Sequence, residues 1–182
     1  KPWQPRGTIL ITGGTGALGQ QAARWLAGAG AQHLILTSRR GMSAPGAQEL
    51  VDELSSDEVK VTIAACDVSD GKQVAGLLSV LREQKETLRA VIHVAGVLDS
   101  SSYTTLDDVS LTKTLAAKVS GAWHLHEQTA NDELDAFVLY GSIAGLWGSG
   151  GQAAYSAANA ALAGLAQYRE GLGLPATTLH WG

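Results

Sequence analysis

Thr8-Ile9-Leu10-Ile11-Thr12-Gly13-Gly14-Thr15-Gly16-Ala17-Leu18-Gly19 opens as a β-branched apolar run, breaks into glycines and continues as a helix-forming segment. The first five residues predict a strand over Thr8–Thr12, and the apolar spacing that follows predicts a helix over about Ala17–Ala27. Between them, Gly14, Gly16 and Gly19 satisfy G-x-G-x-x-G. That spacing alone is a weak signal. Its position between a strand and a helix makes it a strong one.

The same alternation runs outward from this unit. Further strands are predicted at His33–Thr37, Val59–Ala65, Ala90–Val94, Ala136–Tyr140 and Ala176–His180, each largely apolar without alternation, as parallel strands covered on both faces should be. Helices are predicted at about Ala47–Leu54, Gly71–Gln84, Leu111–Thr129 and Gln152–Glu170. In the last, Ala154, Ala158, Ala161, Leu162 and Leu165 form one apolar stripe, and Gly171, Gly173 and Pro175 stop it. Strand–helix alternation with right-handed crossovers predicts an α/β fold: a doubly wound parallel sheet of strand order 3-2-1-4-5-6 in three αβα layers, Rossmann-like in plan. Residues 1–7, with two prolines, read as a linker, and residues 8–182 as one folded unit. The chain stops directly after a strand, at Trp181-Gly182, from which a partial domain is expected.

Composition narrows the function. The 182 residues carry a net charge of −4 and no basic run longer than Arg39-Arg40, against a nucleic-acid partner. No apolar stretch approaches the ~18 residues of a membrane span, and one cysteine forms no internal disulfide. A soluble, cytoplasmic protein is expected. His124 and His126 have no cysteine or carboxylate cluster at ligand spacing, so no metal is expected. His93 reads as a hydrogen-bonded structural histidine, and Cys66 as a small core residue.

The glycine turn lets backbone approach a dinucleotide pyrophosphate, whose charge sits on the helix N-terminus. Thr12, Gly13, Gly14, Thr15, Gly16, Leu18 and Gly19 are the candidate contacts. The second strand ends Thr37-Ser38-Arg39-Arg40 with no acid. A carboxylate there would grip a ribose 2′-hydroxyl, whereas guanidinium groups bind a 2′-phosphate. NADPH is therefore predicted, with Arg39 the primary contact and Ser38 and Arg40 assisting. Asp67 is placed to accept from the adenine amino group while Val68 packs on its ring, and Ala95 and Gly96 let the sheet pass close beneath the cofactor.

Lys118, Ser142, Tyr155 and Asn159 are the candidate catalytic set, brought to the C-terminal edge of the sheet, where open α/β folds bind ligands. Tyr155 and Asn159, four apart on a helix, share a face. Reducing a ketone puts negative charge on oxygen, so the site must donate hydrogen bonds and then a proton. Ser142 would hold the carbonyl oxygen and Tyr155 protonate it. Lys118 would lower the phenol from its reference pKa of about 10 while touching the nicotinamide ribose. Asn159 would orient Lys118 or a bridging water.

With these residues in view, the chain resembles the short-chain dehydrogenase/reductase superfamily and, within it, polyketide synthase ketoreductases. Common members carry Tyr-x-x-x-Lys with an upstream asparagine. Here the order is exchanged, Tyr155-x-x-x-Asn159 with an upstream lysine, as in the polyketide and fatty-acid synthase branch. The phrases Thr37-Ser38-Arg39-Arg40-Gly41, Cys66-Asp67-Val68, His93-Val94-Ala95-Gly96-Val97-Leu98 and Lys118-Val119-Ser120-Gly121-Ala122-Trp123 carry the likeness across the chain, and the last assigns the family's lysine to Lys118 rather than Lys113.

The resemblance implies reduction of a β-ketoacyl chain, held as a phosphopantetheine thioester on an acyl carrier protein, to the β-hydroxyacyl form. It also implies a structural subdomain before the linker, and a lid helix and final strand after the sixth strand, neither present here. Leu98-Asp99-Ser100 lacks the second acid of the B-type Leu-Asp-Asp signature, and Trp147 matches the A-type tryptophan, so an A-type enzyme giving the L-hydroxy product is implied. The indole's bulk would make the thioester arm enter from one side. Gln152 stands where epimerising members have histidine, which implies a non-epimerising subtype. Two other readings stay open: a free-standing short-chain carbonyl reductase, and an inactive NADPH-binding module supporting a megasynthase.

Overall fold

The computed structural model describes residues 3–97 and 104–182. Six parallel strands, β1 (Thr8–Thr12), β2 (His33–Ser38), β3 (Lys60–Ala65), β4 (Leu88–His93), β5 (Ala136–Ser142) and β6 (Thr177–Trp181), form one sheet in the order β3-β2-β1-β4-β5-β6. The helices are α1 (Ala17–Gly28), α2 (Ala47–Leu54), α3 (Gly71–Glu83), α4 (Asp108–Leu115), α5 (Gly121–Thr129), α6 (Ala144–Trp147) and α7 (Ala153–Gly171).

Two cores flank the sheet. On one face Ile9, Ile11, Leu34, Leu36 and Ile92 pack with Ala23 and Leu26 of α1 and Leu50 and Leu54 of α2. On the other, Leu10, Ile35, Val91, Phe137 and Leu139 pack with Val74 and Leu78 of α3, Ala122 and Leu125 of α5, and Leu162 and Leu165 of α7. Successive strand residues point to opposite faces, so a central strand covered on both must be largely apolar, as the cores of β1 and β4 are. β1 is buried at every position.

The predicted lack of alternation fails toward the margins. β3 and β6 are edge strands with mostly exposed or half-buried residues, and β5 alternates, because cover thins away from the centre. The stripe of α7 also differs in one member: Ala161 is exposed, and Ala166 takes its place in the core. Gly173, at φ +75°, ends α7, with its N–H bonded to Glu170 and that of Leu174 to Arg169.

The single helix predicted over Leu111–Thr129 is three segments. A π-helical turn, Ala116–Ser120, separates α4 from α5, its closing bond running from the Gly121 N–H to the Ala116 carbonyl. The short α6, too brief to carry a periodic signal, was not predicted, nor was the 3-10 turn Gly41–Ser43. Residues 3–7 have neither helix nor strand but are held to the body: Pro5 is buried, Arg6 makes a bidentate pair with Asp135 at 2.7 and 2.9 Å, and Trp3 lies 6.0 Å from Trp25. No helix among the described residues is long and apolar enough to cross a membrane.

Candidate active site

The turn after β1 is built so that backbone alone faces a crevice. Gly13, at φ +66°, passes so close to β4 that a Cβ would stand 2.9 Å from the Ala95 backbone, and a Cβ on Gly19 would collide with the Gly13 carbonyl oxygen. α1 begins at Ala17 behind Gly16, which supplies no side-chain cap, and has no acid in its first turn, leaving its first N–H groups open toward the crevice. That arrangement suits an anion.

The crevice, about 990 Å³, runs from Arg39, Arg40 and Asp67 past Gly13 and Gly16 to Gly96 and Val97. Arg39 and Arg40 are exposed and have no ion-pair partner among the described residues. The Ser38 hydroxyl is buried without a hydrogen-bond partner among the described residues. The Asp67 carboxylate accepts from the Ser69 N–H and hydroxyl through Oδ1. Val68 and Ala95 line the wall, as do Thr15, Leu18 and Lys113. A dinucleotide fits this set: open helix donors at the middle, and at one end guanidinium groups with no ion-pair partner among the described residues. Burial pushes the Cys66 thiol up to about 11, a core residue rather than a nucleophile.

Thr12 and Gly14, expected at the cofactor, do not line the crevice. The Thr12 hydroxyl is buried against His93 Nδ1 at 2.8 Å, and Gly14 packs on Leu36. His93 is fully buried and hydrogen-bonded at both ring nitrogens, with burial holding its pKa down at about 4.

Beyond Gly96 the crevice opens into a hollow of about 280 Å³ lined by Lys118, Ser142, Tyr155 and Trp181. Three elements deliver the three polar groups: the π-turn Lys118, the end of β5 Ser142, and the first turn of α7 Tyr155. Lys118 is 5 % exposed, and its Nζ donates to the Tyr140 carbonyl at 2.8 Å and stands 5.7 Å from the Tyr155 ring centroid. Burial lowers its pKa to about 8. Ser142 Oγ accepts the Ala144 N–H at 3.2 Å, which leaves its own O–H free to donate into the hollow.

Of the two roles expected of Asn159, orienting Lys118 or a bridging water, its protein contacts bear only on the first. Asn159 is fully buried, its Nδ2 donates to the Tyr155 carbonyl at 2.7 Å, and its Oδ1 has no partner among the described residues. The contact with Lys118 is not made, because the amide turns back on its own helix and Lys118 reaches the β5 backbone instead. Trp147 is 74 % exposed on α6 and does not line the hollow, and Gln152 is half-buried just before α7. Leu98 lies outside the described residues. Sequence reasoning missed the Tyr140 carbonyl, since a backbone acceptor leaves no mark in residue types, and it missed that Lys113 faces the crevice.

The family described as the KR domain matches residues 7–182. Polyketide synthase GfsA of Streptomyces halstedii is 50 % identical over 180 residues, 99 % of this chain and 2 % of that protein. The pikromycin polyketide synthase component PikAIII of Streptomyces venezuelae is 48 % identical over 182 residues, 100 % of this chain and 12 % of that protein. Among solved structures, an A1-type ketoreductase superposes with a TM-score of 0.95 at 50 % identity, covering 100 % of this chain and 38 % of that one. The first ketoreductase of the tylosin PKS gives 0.93 at 50 % identity, covering 99 % and 39 %. The chain thus spans a small part of these synthases and about two-fifths of the solved ketoreductases.

Proposed function

The chain belongs to the KR domain family, and from that premise we propose that it reduces the β-keto group of an acyl thioester on an acyl carrier protein, using NADPH, within a larger modular polyketide synthase. The observation that carries this reading is the Lys118 amine, buried between the Tyr140 carbonyl and the Tyr155 ring in a hollow continuous with a dinucleotide crevice.

Bound NADPH supplies a hydride to the substrate's carbonyl carbon. The chain's own residues manage the oxygen. Ser142 donates its free O–H to the carbonyl oxygen and holds it beside Tyr155. Tyr155 gives that oxygen its phenolic proton, completing the hydroxyl and leaving a phenolate. The Lys118 ammonium, close to the ring and nearly out of water, stabilises that phenolate more than an exposed cation would. With its pKa near 8, Lys118 is still mostly charged at neutral pH. Asn159, bonded to the Tyr155 carbonyl, fixes the helical turn that presents the phenol. Arg39, with Ser38 and Arg40, selects the 2′-phosphate; in support, the two guanidinium groups have no ion-pair partner and the Ser38 hydroxyl no hydrogen-bond partner among the described residues. The L-hydroxy product is supported by Trp147 and by two A-type ketoreductases at 50 % identity.

The test is NADPH oxidation with a β-ketoacyl N-acetylcysteamine thioester, using the protein with its flanking segments. Turnover is expected, and Tyr155→Phe should lower it by at least ~10² while leaving NADPH affinity unchanged. Cofactor binding without turnover in the unsubstituted protein would instead identify an NADPH-holding module.

A further inference from the structure

We infer that His93, on the sheet and outside both the crevice and the hollow, is the positioning residue that locks the π-turn in register and thereby aims Lys118 at Tyr140 and Tyr155. This inference rests on the ketoreductase reading for its activity arm only.

A π-turn is rare, and inside a longer helix it is unfavourable unless something outside the helix holds it. It skips one donor–acceptor step, so a carbonyl is left to find another donor. Here the carbonyl of Lys118, the middle residue of the turn, receives His93 Nε2 at 3.0 Å. A carbonyl can only accept, so Nε2 carries the ring proton and Nδ1 does not. Nδ1 therefore accepts from the Thr12 hydroxyl at 2.8 Å, and Thr12 Oγ1 in turn receives the Ala95 N–H at 3.4 Å. Each link fixes the direction of the next, from β1 through β4 to the turn. The ring is 1 % exposed, so the neutral tautomer persists at ordinary pH.

Steric evidence points the same way. A Cβ on Gly121, immediately after the turn, would stand 3.3 Å from His93 Cε1 and 2.8 Å from Val68 Cγ2. The helix backbone thus lies directly on the imidazole. Were the segment to relax to continuous α-helix, residues on one side of the turn would rotate by about 100°, carrying the Lys118 amine away from the hollow.

The experiment compares His93→Gln, His93→Asn and His93→Leu in the protein with its flanking segments. Glutamine reaches as far as Nε2 and can keep a donor on the Lys118 carbonyl, whereas asparagine reaches only as far as Nδ1. His93→Gln should keep kcat within about threefold of wild type. His93→Asn and His93→Leu should lower it by ~10²-fold, the cost of about 1 Å of misplacement, with KM for NADPH little changed. Amide hydrogen exchange supplies the readout independent of turnover: residues 116–121 should lose protection in the asparagine variant and keep it in the glutamine variant. Equal kcat and equal exchange for these two variants overturns the inference, and it stays testable on this pair even if His93→Leu fails to fold. An inactive wild-type protein rejects the ketoreductase reading, and the exchange comparison then decides His93 alone.

Discussion

Lys118 holds an ammonium where little water reaches it, and the fold is less stable for it. Burial lowers its pKa from 10.5 to about 8, a difference on the order of 3 kcal/mol against the charged form at neutral pH, set against one hydrogen bond to Tyr140. Lys118→Met keeps the length of the side chain and removes the charge. Urea denaturation at pH 7 should show a gain of about 1–2 kcal/mol together with loss of reductase turnover. A loss of stability would mean that the Tyr140 bond outweighs the burial cost. At the other end of the crevice, Arg39→Ala should weaken NADPH by about tenfold or more and NADH far less, measured as separate dissociation constants. An equal loss for both would refute 2′-phosphate recognition. These residues were legible in the sequence because their chemistry is carried by side-chain type: two arginines where an acid would otherwise stand, a tyrosine four before an asparagine. What Lys118 and Asn159 touch was not legible, since both bond to backbone carbonyls, and every residue has one.

Elements carry these side chains only as well as they pack. α6 presses on α7 through Gly145, where a Cβ would stand 2.9 Å from the Ala160 nitrogen and the Asn159 carbonyl carbon. Backbone cannot yield as a side-chain tip can, so Gly145→Ala must part α6 from α7, the helix that carries Tyr155 into the hollow. It should cost about 1–3 kcal/mol and lower kcat. Gly164, inside α7 with nothing within 4 Å of a Cβ, is the control: Gly164→Ala should stabilise by about 0.5–1 kcal/mol with turnover unchanged. If both variants behave alike in thermal melts and kinetics, the α6–α7 contact does not govern the site. The six strands and the helices α1, α2, α3 and α7 were read from the sequence to within one or two residues, because apolar runs, glycines and Pro175 mark them directly; α4 starts at Asp108, three residues before the expected Leu111. The π-turn was invisible. Leu111–Thr129 has a continuous helical pattern, and the feature that splits it, the His93 ring, lies about 25 residues away in sequence.

At the scale of the whole molecule, the strand order follows from alternation and handedness, whereas exposure at β3 and β6 depends on what lies beside them, which no local pattern encodes. The same packing sets the response to acid. His93 is buried as a neutral ring, its pKa lowered to about 4, and His126 is lowered too, by burial and then by Arg169 beside it. Unfolded histidines titrate near 6.5, so between about pH 6.5 and 4 the unfolded chain binds more protons than the folded one. The stability that the neutral His93 ring contributes is full above pH 6.5 and is lost as pH falls toward 4, and His126 adds a loss of the same sign below 6.5. Glu86 acts in a lower window: the Thr8 hydroxyl, with His33 and Lys60, holds it at about 2 against a usual 4.5, so its contribution persists until the pH drops below 4.5. Unfolding free energy from urea titrations should therefore fall by about 2–3 kcal/mol between pH 7 and 4.5, and His93→Gln, which has nothing to protonate there, should flatten most of that slope. A wild-type slope that survives the substitution would assign the acid sensitivity elsewhere and show that the imidazole takes up its proton in the fold without cost.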